Sequence, residues 1–237
     1  MLYLHAIFNS MNRFFIILFF IFGATSAKAQ IHEIGVFLGG ANYIGEIGGS
    51  SYISPKDPAF GIVYKWNRSP RHSWRFSAIH GKVTARDADS KIPARKLRNL
   101  AFENYITEVS AGLEFDFFDF NLHESEPKIT PFIYSGLSYA FYKGLFFVGD
   151  ETRYNSTHGA LAIPMTLGIK ARILPHLVLA VESGARFTLA DDLDGSNPSN
   201  ENLAPQRFGN LKSNDWYVFT GVTLTYTFGN KPCFCAE

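Results

Sequence analysis

Few residues in this chain could do chemistry, and most stand apart. Ser156, His158 and Asp150 share one short segment. A hydroxyl, an imidazole and a carboxylate are the parts of a nucleophilic relay. Nearness in sequence does not align a nucleophile with its base, and neither Gly-x-Ser-x-Gly nor His-Glu-x-x-His occurs. No catalytic residue is assigned. Asp191-Asp192-Leu193-Asp194-Gly195 has the composition of a calcium loop. With Gly195 at the turn position, Ala190 stands where the first carboxylate belongs, although Glu201 falls at position twelve. The segment reads as a solvated, turn-rich loop, and no metal or cofactor is expected. Cys233 and Cys235 are too close for an unstrained bridge, and no further ligand is near enough for a metal. His123, Glu124 and Glu126 read as the solvated charge of a turn.

The elements that carry these residues follow from composition and periodicity. A formal charge of +1 leaves no electrostatic footprint for nucleic acid. Hydrophobic residues make up 46% of the 237, which excludes a disordered chain. Residues 14–22 form an apolar run after Arg13, and Ala27-Lys28-Ala29 offers a small-x-small cleavage site. Residues 1–29 therefore read as a signal peptide, with Met1 or Met11 as the start. Beyond them no apolar run is long enough for a helical span.

Period two dominates the rest. It predicts strands at 31–41, 59–67, 73–84, 102–117, 129–142, 158–173, 176–189 and 215–228. Most exceed the roughly 5–6 residues of soluble strands and suit the about 9–11 that cross a bilayer. The last strand puts Trp216, Val218, Thr220, Val222, Leu224, Tyr226 and Phe228 on one face, apolar in the middle and aromatic at both ends. That is the outer face of a membrane strand. Connections alternate: 42–58, 85–101, 143–157 and 190–214 are long, 68–72 and 174–175 short, and 119–128 intermediate. The fold expected is all-β: an eight-stranded antiparallel transmembrane barrel of outer-membrane type over 30–229. Both termini would lie in the periplasm, with a tail over 230–237.

Eight strands leave a lumen that side chains can fill. The inward positions include Lys65, Arg75, Lys170, Arg172 and Arg186, and also Glu33, Glu108, Glu114, Asp116 and Glu182. Five bases against five acids predict a plug of paired charge, since a lone buried charge is too costly.

Four patches resemble a known family. They are His32-Glu33-Ile34-Gly35-Val36-Phe37-Leu38-Gly39-Gly40 running on to Gly48; Arg98-Asn99-Leu100-Ala101-Phe102 with Glu108 and Glu114-Phe115-Asp116-Phe117-Phe118; Glu182-Ser183-Gly184-Ala185-Arg186-Phe187-Thr188 into Asp191-Asp192-Leu193-Asp194; and Asn214-Asp215-Trp216-Tyr217. In this order they resemble the PorG family of outer-membrane proteins of the type IX secretion system. The third long loop is shorter than that family leads one to expect, and Ala190 stands where an aromatic is expected. The resemblance implies a non-enzymatic barrel that associates with a periplasmic ring of PorK and PorN type proteins. Its partners would be that ring and outer-membrane lipid, with no nucleic acid and no small-molecule substrate. Asn121, His123, Glu124, Glu126, Cys233 and Cys235, in the turn and the tail, are the candidate ring contacts. The alternative is a generic small barrel acting as a surface binding protein or a lipid-modifying enzyme.

Overall fold

The computed structural model describes residues 31–122, 126–210 and 213–229. Eight strands close into a ring in sequence order: β1 (Ile31–Ile44), β2 (Asp57–Asn67), β3 (His72–Arg86), β4 (Ala101–Asp116), β5 (Ile129–Val148), β6 (Glu151–Leu174), β7 (Leu177–Thr188) and β8 (Trp216–Phe228). Every neighbouring pair is antiparallel, and β1 meets β8 to close the ring, with Ile34 opposite Tyr226 and Leu38 opposite Val222. Closure leaves the ring without an edge. Turns 68–71, 117–128 and 175–176 mark one end, where β1 begins and β8 finishes. Loops 45–56, 87–100 and 189–215 mark the other. The second loop carries a one-turn helix, α1 (Pro93–Arg98), with Pro at its first position and Asn99 in the left-handed region (φ 56°) at its end.

The third long connection is not a loop. β5 and β6 run on for 20 and 24 residues and meet at a two-residue turn, where Gly149 takes φ +67°. The pairing slips between Lys143 and Leu145. That bulge at Gly144 swaps the faces beyond it, so a search for unbroken alternation stops at Tyr142. Among the described residues, 142–148 and 151–158 pair only with each other, and the hairpin overhangs the ring.

Side chains sort by the pleat. Ile34, Val36, Leu38, Ile62, Val109, Leu113, Ile133, Leu137, Ile163, Met165, Leu167, Ile169, Val181, Val222 and Leu224 are all exposed on the outer wall. Rings border this band at the turn end (Trp74, Phe76, Phe117, Tyr226, Phe228) and the loop end (Tyr105, Tyr139, Phe141). Val218 departs from the expected pattern: it lies on the outer face of β8 but is buried. Within, Tyr134, Tyr217, Phe37, Phe132, Phe219, Ile79 and Ile106 are fully buried beside the charged groups. Gly112 and Gly136 face each other across β4 and β5, where a Cβ on either would come within 2.2 Å of a backbone carbonyl oxygen. Only glycine permits that approach.

Candidate functional sites in the lumen and at the loop end

All ten inward charges are buried. Glu114 is a hub: it accepts from Lys65 Nζ at 2.6 Å, from Lys170 Nζ at 2.8 Å and from Arg75 Nη1 at 3.4 Å. Arg75 also forks onto Glu182, with Nη2 to Oε1 at 2.5 Å and Nη1 to Oε2 at 2.8 Å. Lys170 reaches Asp116 at 2.9 Å. One layer toward the loops, Arg186 Nε lies 3.2 Å from Glu108, which also accepts from the Tyr217 hydroxyl at 2.6 Å. Glu33 is held by neutral donors, Asn67 Nδ2 at 2.9 Å and Thr225 Oγ1 at 2.6 Å. Arg172 donates to the Pro175 carbonyl at 3.1 Å. Toward the loop end the interior turns apolar, with Tyr43, Ile47, Val83, Phe102, Leu145, Phe147 and Leu193 in one cluster. The expected ionic plug thus occupies only part of the lumen.

At the turn end, the segment 117–128 is not simply solvated. Phe120 and Leu122 pack with Ile31 and Val178 under the lumen, and the Phe120 ring lies 4.8 Å from Lys170 Nζ. Arg71 Nε donates to Asp119 at 2.5 Å, and the Phe120 amide donates to the Pro70 carbonyl at 2.9 Å. Asn121 is half-buried and Glu126 exposed. His123, Glu124, Cys233 and Cys235, like the leader and the tail, lie outside the described residues.

The loop end holds what the sequence did not reveal. Asp87 is fully buried and ties two loops together, accepting from the Gly48 amide at 3.0 Å, the Leu100 amide at 3.1 Å and Arg98 Nε at 2.7 Å. Burial raises its carboxyl, but Arg98 and the two amides outweigh that and hold it below the ordinary carboxylate range. The acidic segment of the last loop is folded inward rather than solvated: Asp192 and Asp194 are buried and Asp191 is half-buried. Asp215 joins them from the start of β8 and Glu46 from the first loop. Tyr43 donates to Asp215, and the Leu193 amide donates to its other oxygen at 3.0 Å. Burial and neighbouring Asp194 push the Asp215 carboxyl well above its usual value. Burial, only partly offset by the Asn197 amide and reinforced by Glu46, Asp194 and Asp192, pushes the Asp191 carboxyl up to about 7.

Beside this cluster, the Ser156 hydroxyl lies 2.6 Å from His158 Nε2, and His158 Nδ1 lies 2.6 Å from Asp192 Oδ2. The Tyr142 hydroxyl donates to the other Asp192 oxygen at 2.5 Å. The carboxylate that completes this chain is Asp192, not Asp150, which sits at the hairpin tip. Sequence reasoning could not reach Asp192, because the contact spans the opening between β6 and the last loop. A recess of about 560 Å³ lined by Tyr142, His158, Asp191, Asp192, Asn197 and Arg207 adjoins it.

A closed ring of eight antiparallel strands, apolar outside and filled within by charges and rings, defines a small β-barrel with a plugged lumen. The chain belongs to the DUF6089 family, a domain of unknown function whose profile matches residues 12–237. Comparison with curated protein sequences finds no match. Among solved structures, the chain is similar to Ail, the attachment invasion locus protein of Yersinia pestis, at 9% identity (85% of this chain, 100% of that one, TM-score 0.46). It is also similar to the N-terminal barrel domain of Pseudomonas aeruginosa OprF, at 10% identity (85% and 100%, TM-score 0.44). Neisserial surface protein A is a third such barrel, at 10% identity (84% and 97%, TM-score 0.42).

Proposed function

We propose that this barrel sits in an outer membrane and serves there as a fixed, non-enzymatic anchor for a periplasmic assembly, the PorK and PorN type ring of a type IX secretion system. The outer wall carries the membrane part of this reading. Large apolar side chains face outward along all eight strands, while charge is drawn inside. A water-bathed sheet arranges the two the other way round. A lumen packed with bonded side chains gives a solute little room, so the two ends remain as working surfaces. The four segments that resemble PorG proteins support the secretion role, and parts of all four converge on the loop-end cluster. The turn end, where β1 begins and β8 finishes, is set on the periplasmic side in this reading. The segment 121–126 and the tail would carry the ring contact.

The test is co-purification from detergent-solubilised outer membranes. Ring proteins should accompany the intact chain and be lost when 121–126 and 229–237 are deleted from a barrel that still inserts. Undiminished recovery of the ring would overturn the anchoring reading. A processed chain that stayed monodisperse in buffer without detergent would overturn the membrane reading.

One observation favours a second reading. The Ser156–His158–Asp192 chain has the order of groups used in acyl transfer. In a lipid-modifying enzyme, Ser156 would attack an acyl ester carbonyl as His158 takes its proton. His158 would then protonate the departing alcohol, and water would release the acid. A fluorophosphonate probe discriminates: labelling lost in Ser156→Ala supports the enzyme, and an unlabelled native protein dismisses it.

A further inference from the structure

We propose that Glu46, Asp191 and Asp215, with the buried Asp194 beside them, form a binding site for a hard divalent cation of the calcium class, which ties the first loop to the last over the lumen. One oxygen each from Glu46, Asp191 and Asp215 lies within 4.8 Å of the others. Two oxygens on opposite sides of a Ca²⁺ ion, each at about 2.4 Å, are separated by about that distance.

The hydrogen bonds hold the carboxylates as ligands are held. Ser213 Oγ donates to Glu46 Oε1, and Asn197 Nδ2 donates to Asp191 Oδ2 at 3.1 Å. The Ser196 amide donates to Asp194 Oδ1 at 2.8 Å. The remaining oxygens, Glu46 Oε2, Asp191 Oδ1 and Asp194 Oδ2, are buried without a partner. Asp194 is 0% exposed, and Glu46 and Asp215 are charges that act on it. So one half of each of these three groups is oriented by a donor, and the other half is withheld from water and from protein. Unbonded buried polar atoms are rare because they are expensive.

The surrounding charge, among the described residues, does not supply a counter-ion. Among the described residues, the nearby bases are engaged elsewhere: Arg98 on Asp87 and Arg207 on Glu201. No ion pair among the described residues involves any of the four carboxylates. An all-oxygen set without His or Cys selects a hard ion over zinc or copper. Ligands drawn from separate loops suit the flexible shell of Ca²⁺ better than the strict octahedron of Mg²⁺. This site is independent of the ring-anchoring reading, since it concerns the purified barrel alone.

The experiment uses the full mature chain in detergent, stripped with EGTA and titrated with Tb³⁺. Tyr43, bonded to Asp215, and Trp216 beside it are the excitation donors. Expected are saturable, sensitised emission at one ion per chain and its displacement by Ca²⁺. Glu46→Gln with Asp194→Asn should weaken binding by at least about 10–100-fold, the loss typical of removing even a supporting partner. Asp89→Asn, an exposed acid paired with Lys56, should leave binding unchanged. Emission that never saturates, or that survives in the double variant, overturns the site. If the double variant does not fold, the native chain decides: Ca²⁺ must slow proteolysis within 189–215 relative to EGTA, and equal rates overturn the site.

Discussion

Replacing Glu114 by Gln removes one negative charge from the hub of the lumen and leaves its shape intact. Three bases touch that carboxylate, but they do not lose equally. Arg75 keeps its fork onto Glu182, at 2.5 and 2.8 Å, and Lys170 keeps Asp116 at 2.9 Å. Lys65 loses its charged partner at 2.6 Å. The variant therefore strands one ammonium rather than three. Breaking a buried pair from one side costs about 3–5 kcal/mol. With a urea slope of about 1–3 kcal/mol per molar, the unfolding midpoint should fall by about 1–5 M, read by tryptophan fluorescence of chain refolded into lipid vesicles. Adding Lys65→Met removes the stranded charge and should restore most of the loss. A midpoint shift below about 0.3 M for Glu114→Gln, on that same slope, would show that water reaches the hub. A double variant no better than the single one would show that Lys65 is not the group left stranded.

Three further outcomes follow from other parts of the wall and loops. Leu38→Arg, in the middle of the outer apolar band, should cost about 2–4 kcal/mol in bilayers; a neutral effect would mean that water bathes that face. Gly112→Ala should reduce the yield of heat-modifiable folded barrel on gels, because its Cβ would meet the Ser135 carbonyl oxygen at 2.2 Å; full yield would refute so close a strand approach. Asp87 has a folded pKa below its unfolded value, so its contribution is present above about pH 4 and is lost as pH falls through the folded value. The Gly48 and Leu100 amide resonances should report this titration at a midpoint below about 3.9, and a midpoint at or above it would refute the Arg98 clamp.

Much of the barrel is legible in the chain because a strand shows both faces to the reader. Residues two apart share an environment, so Leu161, Ile163, Met165 and Leu167 declare one wall and Lys170 and Arg172 the other. The ring order and the number of strands follow from the eight alternating runs. Where the alternation slips, at Gly144, the reading fails, and a hairpin is mistaken for a loop. The loop end fails for a different reason. Glu46, Asp191 and Asp215 come from separate segments, and no local spacing rule links them. The same holds for His158 and Asp192. The acidic segment taken alone looks solvated, since only tertiary placement shows that Asp192 and Asp194 are covered. Phe120 and Leu122 were equally mute: two apolar residues in a polar turn do not say that they stopper a lumen.

The overhanging hairpin creates a difficulty that closure elsewhere avoids. Above the point where β4 stops pairing with it, at Phe141, β5 has no strand neighbour on that side among the described residues. Asn104 answers this with its side chain: its amide nitrogen donates to the Lys143 carbonyl at 2.8 Å, and its amide oxygen accepts from the Lys143 amide at 3.1 Å. A carboxamide thus stands in for one missing peptide unit and blunts the nearest docking point. On the far side, Glu151 and Arg153 place charge along the margin of β6, the usual deterrent to intermolecular stacking. The projection can therefore stand proud of the cylinder without becoming a seed for clumping.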